Sequence, residues 1–188
     1  MKEIIQNEFN DHIKTSNLLH NLTGAVSTSA QLCIDCLKKN GKILIFGNGG
    51  SAADAQHIAA ELVGRYKIDR QGLPAIALTT DSSALTSIAN DFGFSHVFDR
   101  QVEAFANKGD VAIGISTSGR SENVINALKI ATKLGCKTIG LSGQEVGMLN
   151  EICDVTIAAP SKNTPRIQEM HIVIGHTICH IIDQQFRS

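Results

Sequence analysis

Five short runs dominated by Ile, Val, Leu and Ala, at residues 42–47, 75–80, 111–116, 137–142 and 155–160, constrain this chain more than any other feature. Each is nearly continuous in apolar residues instead of alternating, the pattern of strands covered on both faces. Stretches of helical spacing separate them at 51–66, 83–91, 97–107, 121–134 and 148–153, and a last one runs from about 165 to 186. Strand–helix alternation of this kind predicts a parallel, doubly wound α/β sheet with right-handed crossovers. Residues 1 to about 40 hold no Pro and one Gly, and read as two helices joined near 21–24. A length of 188 residues suits one hydrophobic core and is short for two. With no repeat or linker, 1–188 reads as one domain: leading helices over 1–40 and an α/β core over 41–188.

Several function classes drop out. Formal net charge is −1 with acidic and basic residues interspersed, so no nucleic-acid groove is implied. No apolar stretch is long enough to cross a bilayer, and the opening Met1, Lys2 and Glu3 lack a secretory signal's apolar core, so a cytoplasmic protein is expected. The five cysteines are odd in number and scattered. Cys33 and Cys36 form a CxxC, but they share one apolar helical face with Leu32 and Leu37, and no second CxxC accompanies them; core packing is the expectation.

Ligands of a doubly wound sheet bind outside the carboxyl ends of the strands, where strand order reverses. The turn after the first run, Gly47-Asn48-Gly49-Gly50-Ser51-Ala52, opens a helix: glycines permit close backbone approach, and a helix start offers unpaired N–H groups to an anion. Its G-x-G-x-x-A spacing also partly fits a dinucleotide fingerprint, with Asp81 as ribose partner. After the third run comes Ser116-Thr117-Ser118-Gly119-Arg120-Ser121, again before a helix. An N-cap needs one hydroxyl, and four make a cradle for a phosphate monoester. A dinucleotide enzyme has no evident use for this second turn, whereas a phosphosugar has.

On the helix after the first turn, His57 and Glu61 stand four residues apart on one face, and Arg65 is expected to continue it. A helix-surface ion pair is the plain alternative. The last helix carries Gln168, His171, His176 and His180 among isoleucines and valines, which invites a catalytic or metal reading. His176 and His180 have i,i+4 spacing suited to zinc, without a third ligand adjacent in sequence.

Taken together, these two turns, His57-x-x-x-Glu61-x-x-x-Arg65, Asn90-Asp91 and Arg166-Ile167-Gln168-Glu169 resemble the sugar isomerase (SIS) domain and, within it, the phosphoheptose isomerases. The resemblance covers essentially the whole chain, leading helices included. It implies a three-layer αβα sandwich with a five-stranded parallel, flavodoxin-like sheet, and a homotetramer, packed partly through the N-terminal helices, with active sites between subunits. It implies conversion of sedoheptulose 7-phosphate to D-glycero-D-manno-heptose 7-phosphate, toward activated heptose for surface polysaccharide. By position, it implies that Ser51, Ser116, Thr117, Ser118 and Ser121 hold phosphate or sugar, and that Asn48, Gly49, Gly50, Arg65, Asn90, Asp91 and Gln168 line the substrate. Glu61 matches the general base, which also touches substrate, and His176 the general acid. His57, Glu61, Gln168 and His176 match ligands of one Zn²⁺ per subunit. Gln168 and His176 lie eight residues apart, about 12 Å along a straight helix. Both reach one metal only if Gln168 sits on an irregular helix start, or if two subunits contribute.

A rival of another class shares the fold: a non-catalytic SIS protein that binds the chromosomal replication initiator. By its family pattern, that protein lacks the carboxylate and imidazole found here at Glu61 and His176, so the enzyme reading is preferred.

Overall fold

The computed structural model describes residues 1–187. Five strands, β1 (Ile43–Gly47), β2 (Ala75–Ala77), β3 (Val111–Ile115), β4 (Lys137–Ser142) and β5 (Val155–Ala158), form one sheet in the order β2-β1-β3-β4-β5, all parallel. The doubly wound, flavodoxin-like expectation holds, with all five strands where the apolar runs lie. Alternate side chains supply the two faces, as strand geometry dictates. Ile43 and Ile45 enter one core with Ile113, Ile139 and Ile157, while Leu44 and Phe46 enter the other with Val124 and Leu128. Continuous apolar runs therefore reflect burial on both sides.

The first core is roofed by α2 (Thr23–Lys38), α3 (Gly50–Val63) and α8 (Thr164–Gln185). The second is covered by α5 (Asp99–Phe105), α6 (Glu122–Lys133) and α7 (Leu149–Ile152), with α4 (Ser82–Phe92) half-embedded at its margin. The helix α1 (Lys2–Ser16) stands outside these layers, tied to α8 where buried Arg166 donates to the Glu8 carbonyl at 2.5 Å. Cys33, Cys36 and Cys179 lie buried in the first core, and burial pushes the Cys36 thiol up to about 11, so the CxxC is packing and not a reactive pair.

Boundaries moved where backbone groups found unforeseen partners. The first two helices part earlier than expected, through a 3-10 turn at Leu19–Leu22, and α2 begins at Thr23. The helix α3 stops at Val63 and does not reach 66. Its last carbonyls are taken by a side chain that arrives from beyond the helix, Arg70: one η nitrogen donates to Leu62 O at 2.9 Å and the other to Glu61 O at 3.0 Å.

Candidate active site

The strand order reverses between β1 and β3, and there the two anion-type turns lie side by side. Gly47 is registered with Ile115, and a Cβ on Gly47 would stand 2.8 Å from the Ile115 carbonyl oxygen, so glycine is required by the neighbouring strand. Gly49 adopts φ 56°, a left-handed conformation open to glycine, and the first N–H groups of α3 close back on the turn, Ser51 N–H donating to Asn48 O and Ala52 N–H to Gly49 O at 3.0 Å each. In the second turn, Ser116 Oγ donates to Ser121 Oγ at 2.8 Å, and Ser118 Oγ accepts from the Arg120 N–H at 3.2 Å. Thr117 and Ser118 open onto a cavity of about 180 Å³ that Gln144, Glu145, Ser161, Lys162, Thr164 and Ile167 complete. Ser51, Ser116, Thr117, Ser118 and Ser121 thus occupy adjoining turns. Asn48 is committed differently: its amide exchanges two 2.9 Å hydrogen bonds with the buried Asn123 amide, clamping the first turn to α6. Asp81 accepts the Ala84 N–H at 2.9 Å and caps α4, which accounts for it without a ribose.

The two helices bearing the polar stripes run side by side in the same direction. Gly50 abuts the Gln168 amide at one level, and Gly175 abuts Ile58 further along, where a Cβ would stand 2.6 Å from the isoleucine. That register brings His57 to His176. Their Nε2 atoms are 3.3 Å apart with rings edge to face, and Glu61 Oε1 lies 3.2 Å from His57 Nε2. Donor atoms of His57, Glu61 and His176 all lie within 4.8 Å of one another. Burial, reinforced by neighbouring His57 and Lys67 and opposed by Glu61, holds the His176 imidazole below the ordinary histidine range. It is therefore neutral near pH 7, with one ring N–H and one lone pair.

Gln168 stays apart from this cluster within the chain. It packs on Gly50 at the phosphate end, and α8 is continuous from Thr164 through Gln185, so an irregular helix start does not carry it to His176. Arg65 does not extend the stripe either; it lies beyond the end of α3 and is exposed. Asn90 and Asp91 are exposed at the end of α4, the Asn90 amide donating to the Asp91 carboxylate at 2.8 Å. His180 does not pair with His176 as a metal couple; its ring meets Tyr66 at 6.2 Å. His171 is a core residue bonded to Ser142 O at 2.9 Å.

Three participants escaped sequence reasoning. Tyr66, the only tyrosine in the chain, stacks on His176 with centroids 5.1 Å apart and planes at 27°. Arg70 and Asp183 form a buried ion pair at 2.7 Å. Burial alone would raise the Asp183 carboxyl, but N–H groups of Lys67 and Ile68 and the Arg70 guanidinium outweigh it and hold the group below the usual carboxylate range. The available signal was Asp183 itself, a carboxylate seven residues after His176 on a mostly apolar helix.

A doubly wound sheet with two hydroxyl- and glycine-rich turns at its reversal point defines an α/β domain of the anion-binding type, and residues 9–143 match the family model of the SIS domain. Phosphoheptose isomerase from Aliarcobacter butzleri is 59% identical over 186 residues, spanning 98% of each chain. The solved phosphoheptose isomerase structures from Neisseria gonorrhoeae and Francisella tularensis superpose with TM-scores of 0.92 and 0.93 at 44% and 38% identity. Each comparison covers 97% of this chain, and 98% and 97% of the respective structures. The chain belongs to the phosphoheptose isomerase family of SIS-domain proteins.

Proposed function

We propose that this chain is an aldose–ketose isomerase that converts sedoheptulose 7-phosphate to D-glycero-D-manno-heptose 7-phosphate, in line with its phosphoheptose isomerase relatives. The product is a heptose precursor for surface polysaccharide. The observation that carries the reading is the convergence of Glu61 and His176 from two helices that begin near the anion-type turns.

The hydroxyls of Ser51, Ser116, Thr117, Ser118 and Ser121, gathered at the starts of α3 and α6 where the helix dipoles favour an anion, hold the phosphate. Along α3, His57 lies about 10 Å from Gly50, a span that a seven-carbon chain bridges between its phosphate and its carbonyl end. Glu61 takes a proton from C1 of the ketose, giving an enediolate, and returns it to C2. His176 moves the matching proton from O1 to O2, since a neutral imidazole both donates and accepts.

Two imidazoles and a carboxylate are a zinc-type donor set with room for a further ligand. His57 Nε2 lies 3.3 Å from His176 Nε2 and 3.2 Å from Glu61 Oε1, and all three donor atoms lie within 4.8 Å of one another, near enough for one ion to draw them together. The residues fit, and His57, Glu61 and His176 would hold the ion; Glu61 and His176 would have to ligate loosely or release it to move protons. When bound, Zn²⁺ supplies a positive charge that stabilises the enediolate oxygens.

The chain assembles as a homotetramer in which a neighbouring subunit completes the site; Gln168, Arg65, Asn90 and Asp91 contribute to substrate or metal across that boundary. In support, α1 presents Ile5, Phe9 and Ile13 as an exposed stripe at i, i+4 spacing, and Leu19, Val26, Val173 and Ile181 line an apolar groove between α2 and α8. No helix among the described residues is long and apolar enough to cross a membrane; the enzyme acts in the cytoplasm.

The test is purified protein with sedoheptulose 7-phosphate followed by NMR, with and without chelator. Appearance of the aldose C1 signal supports the reading, and its absence from folded, metal-replete protein overturns it. A pull-down with the replication initiator addresses the rival.

A further inference from the structure

Behind the reacting groups, on the side away from the phosphate turns, the buried Arg70/Asp183 pair lies beyond the reach of any substrate, with both side chains 0% exposed. Desolvation offsets most of the Coulomb gain in such a pair, so its energy says little and its connections say more. Arg70 donates to the carbonyls of Glu61 and Leu62 at the end of α3. The second oxygen of Asp183 accepts the N–H groups of Lys67 at 2.8 Å and Ile68 at 3.0 Å, next to the Tyr66 ring that stacks on His176. Asp183 itself lies seven residues after His176, on the same face of α8.

Three pieces therefore meet at one node: the α3 end with Glu61, the segment with Tyr66, and the helix bearing His176. We propose that Arg70 and Asp183 are positioning residues that fix Glu61 relative to His176, acting on the proton-transfer step and not on substrate binding. This rests on Glu61 and His176 being the reacting pair. The turns that hold phosphate sit at the opposite end of α3, and apart from Glu61 itself only Arg65 of the substrate-lining residues borders the node, so loosening it moves kcat far more than KM.

Asp183→Asn keeps the volume and one oxygen for the backbone N–H groups, but turns an amide N–H toward Arg70. Arg70→Lys keeps the charge and loses the planar fork. In the full-length holoenzyme each is expected to lower kcat by about 10- to 100-fold, with KM for sedoheptulose 7-phosphate changed less than about threefold, the margin set by the intact phosphate turns. Asp110→Asn is the stability control. That carboxylate is equally buried and accepts from Lys42 and from the Asn107 N–H, but at the amino edge of the sheet. It should lower the melting temperature and leave kcat intact. Folded Asp183→Asn and Arg70→Lys enzymes that retain kcat, that lose activity through KM, or whose kcat falls only as far as that of Asp110→Asn, overturn the proposal. Unimpaired turnover in Glu61→Gln would instead remove the reacting pair, a separate failure because the node is untouched in that variant.

Discussion

His176 Nε2 lies 3.3 Å from His57 Nε2, although 119 residues separate the two in sequence. The contact follows from helix register: α3 and α8 run in parallel, with Gly50 against Gln168 and Ile58 against Gly175. Because both helices start near the phosphate-type turns, the distance from anion to reacting groups is set by the helices themselves. In the proposed reaction, a substrate anchored at one end would meet Glu61 and His176 at the other.

Removing either reacting group should remove turnover while leaving substrate capture largely intact. Glu61→Gln and His176→Asn are expected to lower kcat by about 10²- to 10⁴-fold, the usual worth of a positioned proton-transfer group. KM should move only a few-fold. Initial rates from the NMR assay check both, and near-normal kcat in a metal-replete Glu61→Gln enzyme would contradict its role as base.

The phosphate turn makes the opposite prediction. Thr117→Val removes one hydroxyl from the cavity wall at nearly constant volume. A hydrogen bond to a charged group is worth about 1.5–3 kcal/mol, so KM should rise by about tenfold or more with kcat little changed. Inorganic phosphate, tested as a competitive inhibitor, should weaken in parallel. A variant with unchanged KM and unchanged phosphate inhibition would show that the cradle lies elsewhere.

Metal binding gives a readout separate from rate. If His57, Glu61 and His176 hold an ion in the folded state, chelation should lower the melting temperature of the native protein by linkage. His57→Ala should melt near the chelated value and no longer respond to chelator or added Zn²⁺. Elemental analysis after dialysis supplies the stoichiometry. Equal zinc content in His57→Ala and native protein would exclude His57 as a ligand.

Strands and turns were legible in the sequence because their signals are local. Burial on both faces makes an unbroken apolar run, and a glycine- or serine-rich turn announces itself over six residues. The meeting of α3 and α8 was not legible, since helical spacing tells which residues share a face but not which helix that face meets. Arg65 illustrates the limit: periodicity carried the stripe through it, but α3 ends two residues earlier, where Arg70 arrives from beyond the helix to take the carbonyls of Glu61 and Leu62. Tyr66 and Asp183 were missed because one lies past the helix end and the other looks like an isolated charge on an apolar helix. Gln168 was matched to the metal by resemblance, yet it stands at Gly50, one chain's geometry keeping it at the phosphate end.

Close packing of α3 on α8 can be tested at Gly175. A methyl group there would stand 2.6 Å from Ile58 Cδ1 and 2.7 Å from Cγ1. Overpacking of this kind costs about 1–3 kcal/mol, offset in part by the roughly 1 kcal/mol by which Ala favours a helix over Gly. Gly175→Ala should therefore destabilise by about 1 kcal/mol net and lower kcat, because the helices must part. Ile58→Val in that background should restore some of both. Denaturant midpoints and rates for the two single variants and the double variant decide it, and strict additivity would mean that the two positions do not press on each other.

His171 should make stability fall with acidity in a defined window. Its imidazole is 0% exposed, hydrogen-bonds to Ser142 O, and is lowered by burial from 6.5 to about 4. Well above pH 6.5 both folded and unfolded chains carry this histidine neutral, and its contribution to the slope fades. As pH falls from 6.5 toward 4 the unfolded chain takes up the proton first, so stability is lost progressively, by at most about 1.4 kcal/mol per pH unit and roughly 3 kcal/mol in all. His171→Gln keeps an N–H donor in reach of Ser142 O and cannot titrate. At fixed protein concentration, urea unfolding of native protein between pH 7 and pH 4.5 should show the steeper decline, the variant being less stable at pH 7 but converging on it in acid. Parallel curves would mean that His171 protonates equally in both states and would overturn the prediction.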